Sequence, residues 1–261
     1  MKIVSPKAIL VGVEKVDAEF LDKFPNLKVL GTNTTGNDHI DQDELKKRGI
    51  HFISLKGHAV FLKYITSTAE HTVGLIIALL RNYKIALNAP YQSREEYKGH
   101  TLYDKTITLI GGNGRVGSQV SNRLKAFGMT VYRVNKGELP QFTLKSHVVS
   151  LHIPLEGNEE FFTKQMFQEM LPYSYFINTS RSGVVESGAL LWALKNNIIK
   201  GAAVDFTDDS ELLEYAKTHN NLILTNHLGG CTVEDMQRTE DFITNAVNNY
   251  LNENKFSADD K

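Results

Sequence analysis

The sequence predicts an α/β protein built on a doubly wound parallel sheet. An apolar, β-prone stretch, Thr106–Ile110, runs directly into Gly111-Gly112-Asn113-Gly114-Arg115-Val116-Gly117 and then into a helical pattern over residues 118–127. Strand-like and helix-like runs alternate along most of the chain, the rhythm of a parallel sheet. The strand-like runs of the second half are apolar on both faces, as strands covered by helices on each side must be.

In order, residues 8–13, 27–31 and 51–54 read as strands, separated by helical runs over 17–24 and 41–48 in which Asp17 and Asp41 stand at N-cap positions. Residues 66–89 read as one long helix. It is opened by Thr and Ser and carries Ala69, Val73, Ile76, Ile77 and Leu80 at spacings of three and four, and it is expected to bridge two domains. Beyond the glycines come strands over 129–134, 147–152, 175–178, 201–204 and 222–224, with a helix-like stretch over 186–196. Residues 232–252 form an amphipathic helical pattern, and the last residues, 257–261, look frayed.

The glycine run has the G-x-G-x-x-G spacing of a dinucleotide-binding turn. Gly112 is expected to permit the tight turn, Gly114 to let backbone amides approach a pyrophosphate, and Gly117 to let the helix pack closely on the strand. Unpaired amides and the positive end of the dipole at the helix N-terminus suit phosphate. Arg115 and Val116 complete the set.

Composition narrows the function classes. A chain of 261 residues with 41% apolar content can bury a substantial core, in one large or two modest domains. Net charge is −1 and no window gathers a basic stripe, which argues against nucleic acid as a partner. The single cysteine, Cys231, excludes an intrachain disulfide framework and a Cys-rich zinc site; it is expected to pack rather than react. No histidine pair has H-E-x-x-H spacing, so no metal is expected. The first residues lack the apolar core of a signal peptide, and the longest apolar run, residues 73–80, is too short to span a bilayer. A cytoplasmic protein with no membrane association is the expectation.

Five stretches now point to a family: Leu27-Lys28-Val29-Leu30-Gly31 with Gly36-Asn37-Asp38-His39-Ile40-Asp41; Thr68-Ala69-Glu70-His71-Thr72-Val73; the glycine turn; Asn178-Thr179-Ser180-Arg181-Ser182-Gly183-Val184-Val185; and Leu224-Thr225-Asn226-His227-Leu228-Gly229-Gly230. In order and spacing the chain resembles, over nearly its whole length, the D-isomer-specific 2-hydroxyacid dehydrogenases, whose members include D-3-phosphoglycerate dehydrogenase. The resemblance implies a Rossmann-type doubly wound sheet, residues 67–229, inserted into a smaller flavodoxin-like α/β substrate domain, residues 1–66 plus 230–261. It implies an active site in the cleft between them, NAD or NADP as cofactor, a small 2-keto or 2-hydroxy acid as substrate, and a homodimer. Residues 1–7 leave no room for the strand and helix that usually precede residues 8–13, so the substrate domain is expected to be N-terminally trimmed.

By the same resemblance Arg181 holds the substrate carboxylate and polarises its carbonyl, a task suited to a permanently charged fork. His227 is the acid–base. Asn135, Pro154, Thr179, Asp205 and Gly229 join Gly112, Gly114, Arg115, Val116 and Gly117 as cofactor contacts, and Gly36 and His58 join Arg181 as substrate contacts. Glu70 and His71 are expected to be structural or interface residues. His147 and His152 flank a strand, with His152-Ile153-Pro154 at its carboxyl end, where cofactor-facing loops belong.

The chain departs from the family in three places. The glutamate that should assist the histidine is replaced by Ser210; Asp209 or Glu211 could supply the carboxylate, or residues 206–211 could form a solvated turn. Without that carboxylate catalysis is expected to weaken, because its charge raises the imidazole pKa and fixes its tautomer. Asn135 stands where an acidic residue usually grips the ribose hydroxyls. Arg133, on the same face, and nearby Lys136 could serve a 2′-phosphate, which leaves NAD and NADP both open. Residues 56–66 form a longer loop than usual, in which Lys56, His58 and Lys63 either face solvent or meet a phosphorylated substrate. An alternative stays open, a dinucleotide-binding homologue with weak or no turnover acting as sensor or structural subunit.

Overall fold

The structure, a computed structural model, describes residues 6–88, 94–135, 137 and 144–254. Lys136, residues 1–5, the last residue of the expected 66–89 helix and residues 257–261 lie outside that set. The chain divides into two compact units, Met1–Ile65 with Thr232–Lys261, and Thr66–Cys231.

In the first unit, strands Ala8–Val11 (β1), Val29–Thr32 (β2) and His51–Ile53 (β3) form a parallel sheet in that order. Helices Ala18–Asp22 (α1) and Gln42–Lys47 (α2) begin at the expected caps: Asp17 Oδ1 accepts from the Phe20 amide at 3.0 Å and Asp41 Oδ1 from the Glu44 amide at 2.9 Å. Successive residues of β2 face opposite ways. Leu30 packs with Leu21 and Leu45, whereas Val29 packs with Leu62 of a short helix, Ala59–Leu62 (α3), and with Ile243 and Val247 of the helix Val233–Glu253 (α10). On β2, a Cβ at Gly31 would lie 2.8 Å from Ile243 and 2.9 Å from Val247, so the close approach of α10 needs glycine there. Part of the expected 56–66 loop is therefore helical, because burying Leu62 orders it.

The second unit opens with helices Ser67–Leu80 (α4) and Tyr83–Asn88 (α5). The single helix expected over 66–89 is broken at Arg81 and Asn82. Asn82 takes a left-handed conformation (φ 56°) and its side chain donates to the Lys98 carbonyl at 2.8 Å, an end signal that apolar periodicity does not register. Then follow Thr106–Ile110 (β4), Arg115–Ala126 (α6), Thr130–Val134 (β5), Val148–Leu151 (β6), Lys164–Glu169 (α7), Tyr175–Asn178 (β7), Ala189–Lys195 (α8), Gly201–Val204 (β8), Ser210–Thr218 (α9) and Leu222–Leu224 (β9).

All six strands are parallel, in the order β5-β4-β6-β7-β8-β9. Alternate side chains serve two cores. Ile107, Leu109, Val148, Tyr175, Ile177 and Ala203 pack against α4 and α6, while Val149, Leu151, Phe176, Ala202 and Val204 pack against α7, α8 and α9. This is the doubly wound arrangement, and it explains why the strands read as unbroken apolar runs. Fully buried Phe162, Phe167 and Phe176 meet with ring centroids 4.8–4.9 Å apart, each worth about 1.5–3 kcal/mol of apolar burial. The strand order reverses at β4, whose carboxyl end is thus a topological switch point, where such sheets bind ligands.

Candidate active site

The glycine turn leaves β4 at that switch point. The left-handed residue is Gly111 (φ 81°), not Gly112 as the spacing suggested, and a Cβ there would stand 2.3 Å from the His152 carbonyl oxygen. Gly112 is needed for a different reason: its missing side chain admits the stem of Arg133, whose Cβ and Cγ would lie 2.8 and 2.9 Å from it. Gly114 is the N-cap of α6, which starts at Arg115, three residues before the periodicity begins. Gly117 is buried, and its Cβ would fall 2.5 Å from the Gly111 carbonyl oxygen and 2.7 Å from Gly112 Cα. The N-cap of α6 is a glycine and no side chain caps the helix, so its first amides are not taken by a capping side chain and these residues fit a dinucleotide pyrophosphate. At the end of β5, Asn113 Nδ2 donates to Asn135 Oδ1 at 3.2 Å; Arg133 and Asn135 are both exposed.

Beyond β6, desolvation pushes the His152 imidazole down to about 4, so it is neutral near pH 7, and it shares a 3.0 Å hydrogen bond with Ser150 Oγ. Pro154 is exposed and its carbonyl accepts from Asn158. His147 lies at the opposite end of the strand, held by the Thr106 amide and hydroxyl at 3.1 and 2.8 Å.

Beyond β7 the chain turns on Asn178. Its Oδ1 accepts from the amide and hydroxyl of Ser180 at 3.0 and 2.7 Å, and its Nδ2 donates to the Arg181 carbonyl at 2.8 Å. That Asx-type turn presents Arg181, whose Nη1 donates to the Ser180 carbonyl. Thr179 is buried and exchanges a 2.8 Å hydrogen bond with Thr72 of α4.

Beyond β8 and β9 lies the histidine loop. His227 is left-handed (φ 58°), and its amide donates to the Asp205 carbonyl at 2.6 Å. The Asp205 side chain grips the loop on both sides: Oδ1 accepts from Thr225 Oγ1 at 2.7 Å and the Leu228 amide at 2.7 Å, and Oδ2 from the Gly229 amide at 2.8 Å. His71 Nε2, from α4, stands 3.0 Å from Oδ1 and 3.1 Å from Thr225 Oγ1. Burial alone would raise the Asp205 carboxyl, but hydrogen bonds from His71, Thr225 and the Gly229 amide outweigh it and hold the group at about 2. Asp205 is therefore an anion near neutral pH, only 4% exposed. Gly229 has no room for a Cβ, which would lie 2.8 Å from Asp205 Oδ2. The Phe206 and His227 rings lie 5.5 Å apart, tilted.

Residues 206–211 are not a plain solvated turn. Asp209 caps α9, its Oδ1 accepting from the Glu211 and Leu212 amides at 2.9 and 3.2 Å; Ser210 is the first residue of that helix, and exposed Glu211 stands 3.9 Å from Lys195. Cys231 is exposed, against the expectation that it packs, because the loop turns outward where its amide donates to the Leu228 carbonyl. In the first unit, Gly36 accepts from Thr34 Oγ1 at 3.0 Å. Exposed His58 precedes α3 and sets its ring against Phe242 at 4.8 Å, and Lys56 and Lys63 are exposed. Among the described residues no three His, Cys, Asp or Glu side chains cluster as metal ligands, and no helix is long and apolar enough to cross a membrane.

Sequence reasoning missed two parts of this site. Asn178 carried a readable signal, an Asx residue two before Ser180 at a strand end. The Asp205–Thr225–His71 network carried none, because its members lie far apart in the chain.

Residues 73–229 match the profile of the D-isomer specific 2-hydroxyacid dehydrogenase NAD binding domain. The chain belongs to the D-isomer-specific 2-hydroxyacid dehydrogenase family. It is 31% identical to D-3-phosphoglycerate dehydrogenase of Bacillus subtilis over 252 residues, which cover 87% of this chain and 46% of that protein. It is 32% identical to glyoxylate reductase of Thermofilum pendens over 250 residues, 86% of this chain and 72% of the relative. Among solved structures, D-lactate dehydrogenase from Aquifex aeolicus, complexed with NAD and lactic acid, superposes with a TM-score of 0.76 at 28% identity, covering 95% of this chain and 83% of that one. An acyclic imino acid reductase in complex with NADPH and D-Arg gives 0.77 at 25% identity over 95% and 84%. The chain thus carries the NAD(P)-binding domain of a 2-hydroxyacid dehydrogenase.

Proposed function

We propose that the protein is an NAD(P)-dependent oxidoreductase interconverting a D-2-hydroxy acid and its 2-keto acid. The observation that carries this is the placing of three groups at the carboxyl edge of one sheet: the glycine turn after β4, Arg181 after β7, and His227 after β9 in a loop clamped by a buried anion. Residues 111–117 with α6 would hold the dinucleotide, which supplies the hydride when bound. Arg181 binds the substrate carboxylate through its fork and polarises the neighbouring carbonyl. His227 gives a proton to the carbonyl oxygen in reduction and takes it from the hydroxyl in oxidation.

With Ser210 in the glutamate position, reduction is expected to fade at a lower pH than a carboxylate-assisted histidine would allow. Arg133, laid against Gly112 beside the neutral Asn113–Asn135 pair, favours acceptance of NADPH alongside NADH. Relatives named for glyoxylate, hydroxypyruvate and phosphoglycerate direct the search to small 2-keto acids, phosphorylated ones included. The family resemblance further suggests a cytoplasmic homodimer.

The test is consumption of NADH and NADPH against glyoxylate, pyruvate, hydroxypyruvate and phosphohydroxypyruvate from acidic to alkaline pH. Turnover that falls at least about 1000-fold in Arg181→Ala and His227→Asn supports the reading, as does Arg133→Glu selectively weakening NADPH. Cofactor binding without turnover on any of these acids would sink it.

A further inference from the structure

The histidine loop has a second support that the reaction itself does not require. The Asp205 carboxylate is 4% exposed and touches the chain at residues 225, 228 and 229, bracketing His227. A left-handed conformation costs an L-residue about 1–2 kcal/mol and persists only where its surroundings over-determine it. The loop that carries His227 is therefore held by the Asp205 carboxylate on either side of it and by the Asp205 carbonyl at its own amide. Three of the four donors to that carboxylate belong to the loop itself and would move with it. The fourth, His71 Nε2, comes from the second turn of α4, where the neighbours Ala69, Thr72 and Val73 are buried.

We infer that His71 is a positioning residue: its Nε2–H ties Asp205 and Thr225 to α4 and thereby fixes the orientation of His227. This rests on the reading of His227 as the acid–base. The donor is present in the imidazolium and in the neutral Nε2–H tautomer, so the tie does not need His71 to be charged. Asp205, just after β8, and Thr225, just after β9, are far from His71 in the chain, the latter by 154 residues, and no element other than α4 supplies a donor to this carboxylate from outside the loop among the contacts described. A purely structural histidine would contribute to stability without a preference for the chemical step.

The variant is His71→Leu, which keeps bulk and removes the donor, beside His71→Gln, whose amide nitrogen restores a donor near the Nε2 position. The expected result is a kcat for 2-keto acid reduction lowered about 10- to 100-fold by Leu, the effect of a misplaced acid–base, with the KM of the keto acid and the NADH dissociation constant within about twofold of the parent. Gln should restore most of the loss. The carbon–proton resonance of the His227 imidazole, assigned by its disappearance in His227→Asn, should shift or broaden in Leu and return in Gln. Should His71→Leu not fold, His71→Asn, polar but too short to reach Asp205, is read the same way. An unchanged kcat with an unmoved His227 resonance overturns the inference. If the parent turns over no keto acid, the proposed function fails, and the resonance alone decides the positioning role.

Discussion

The glycine turn and the histidine loop lie at the same edge of one sheet and are held in opposite ways. The turn is held by exclusion: a Cβ at Gly111 or Gly117 would come within 2.5 Å of a backbone oxygen, so the path after β4 is fixed by side chains that are not there. The loop is held by attraction, through one buried carboxylate that gathers donors from Thr225, Leu228, Gly229 and His71. Steric exclusion is indifferent to pH and tolerates no added methyl. Electrostatic gathering tolerates small shifts but depends on every partner and on the charge of Asp205. The turn is thus rigid by geometry, and the histidine loop by chemistry.

The largest effect that could break this contrast is at Gly117. Gly117→Val should destabilise the second unit by about 1–3 kcal/mol, the usual cost of overpacking, and weaken NADH binding at least about 100-fold in a fluorescence titration. Near-normal binding would mean the turn is not sterically fixed. Next comes Asp205→Asn, which sets an amide NH2 against backbone donors; about 2 kcal/mol of stability and most of kcat should be lost while NADH binding persists. The same variant tests the charge. Asp205 sits at about 2 in the folded chain against an ordinary 3.8. Its contribution is therefore complete above about 4 and is lost as pH falls through about 2, a swing of about 2 kcal/mol. Urea midpoints at pH 5 and pH 2.5 should separate more for the parent than for Asp205→Asn, and equal separations would show that the anion is not the anchor. The smallest effect is Gly229→Ala, whose methyl would press on Asp205 Oδ2 from 2.8 Å. The methyl can be admitted only by shifting the carboxylate against its donors, so about 1 kcal/mol and a several-fold fall in kcat should result, measured by melting and steady-state rates.

What could be read from the sequence follows the same division. The glycine spacing, the apolar runs of β4, β6, β7 and β8, and the caps at Asp17 and Asp41 are local signals, each decided within a few residues, and the fold came through on them. Where local reading failed, a single residue overrode a longer pattern. Asn82 ended a helix whose apolar spacing continued past it, and Asp209 started a helix at Ser210 inside a run that read as a solvated turn. At the site, Arg181 and His227 stood out through their motifs, but their supports did not. Nothing near Asp205 in sequence announces that its carboxylate will meet a histidine from α4, because that meeting is made by the packing of α4 on the sheet.

The left-handed backbone of His227 has one more consequence, for anyone who wants the protein silent but intact. Among residues with a side chain, asparagine and aspartate share with histidine an enrichment in that region of backbone space. Alanine at this position would remove the imidazole and also relax the chain around it, confounding chemistry with shape. His227→Asn separates the two: the loop keeps its path around Asp205 while the imidazole is gone, and on the proposed function the result is a substrate trap in which cofactor and acid can be held together long enough to be seen.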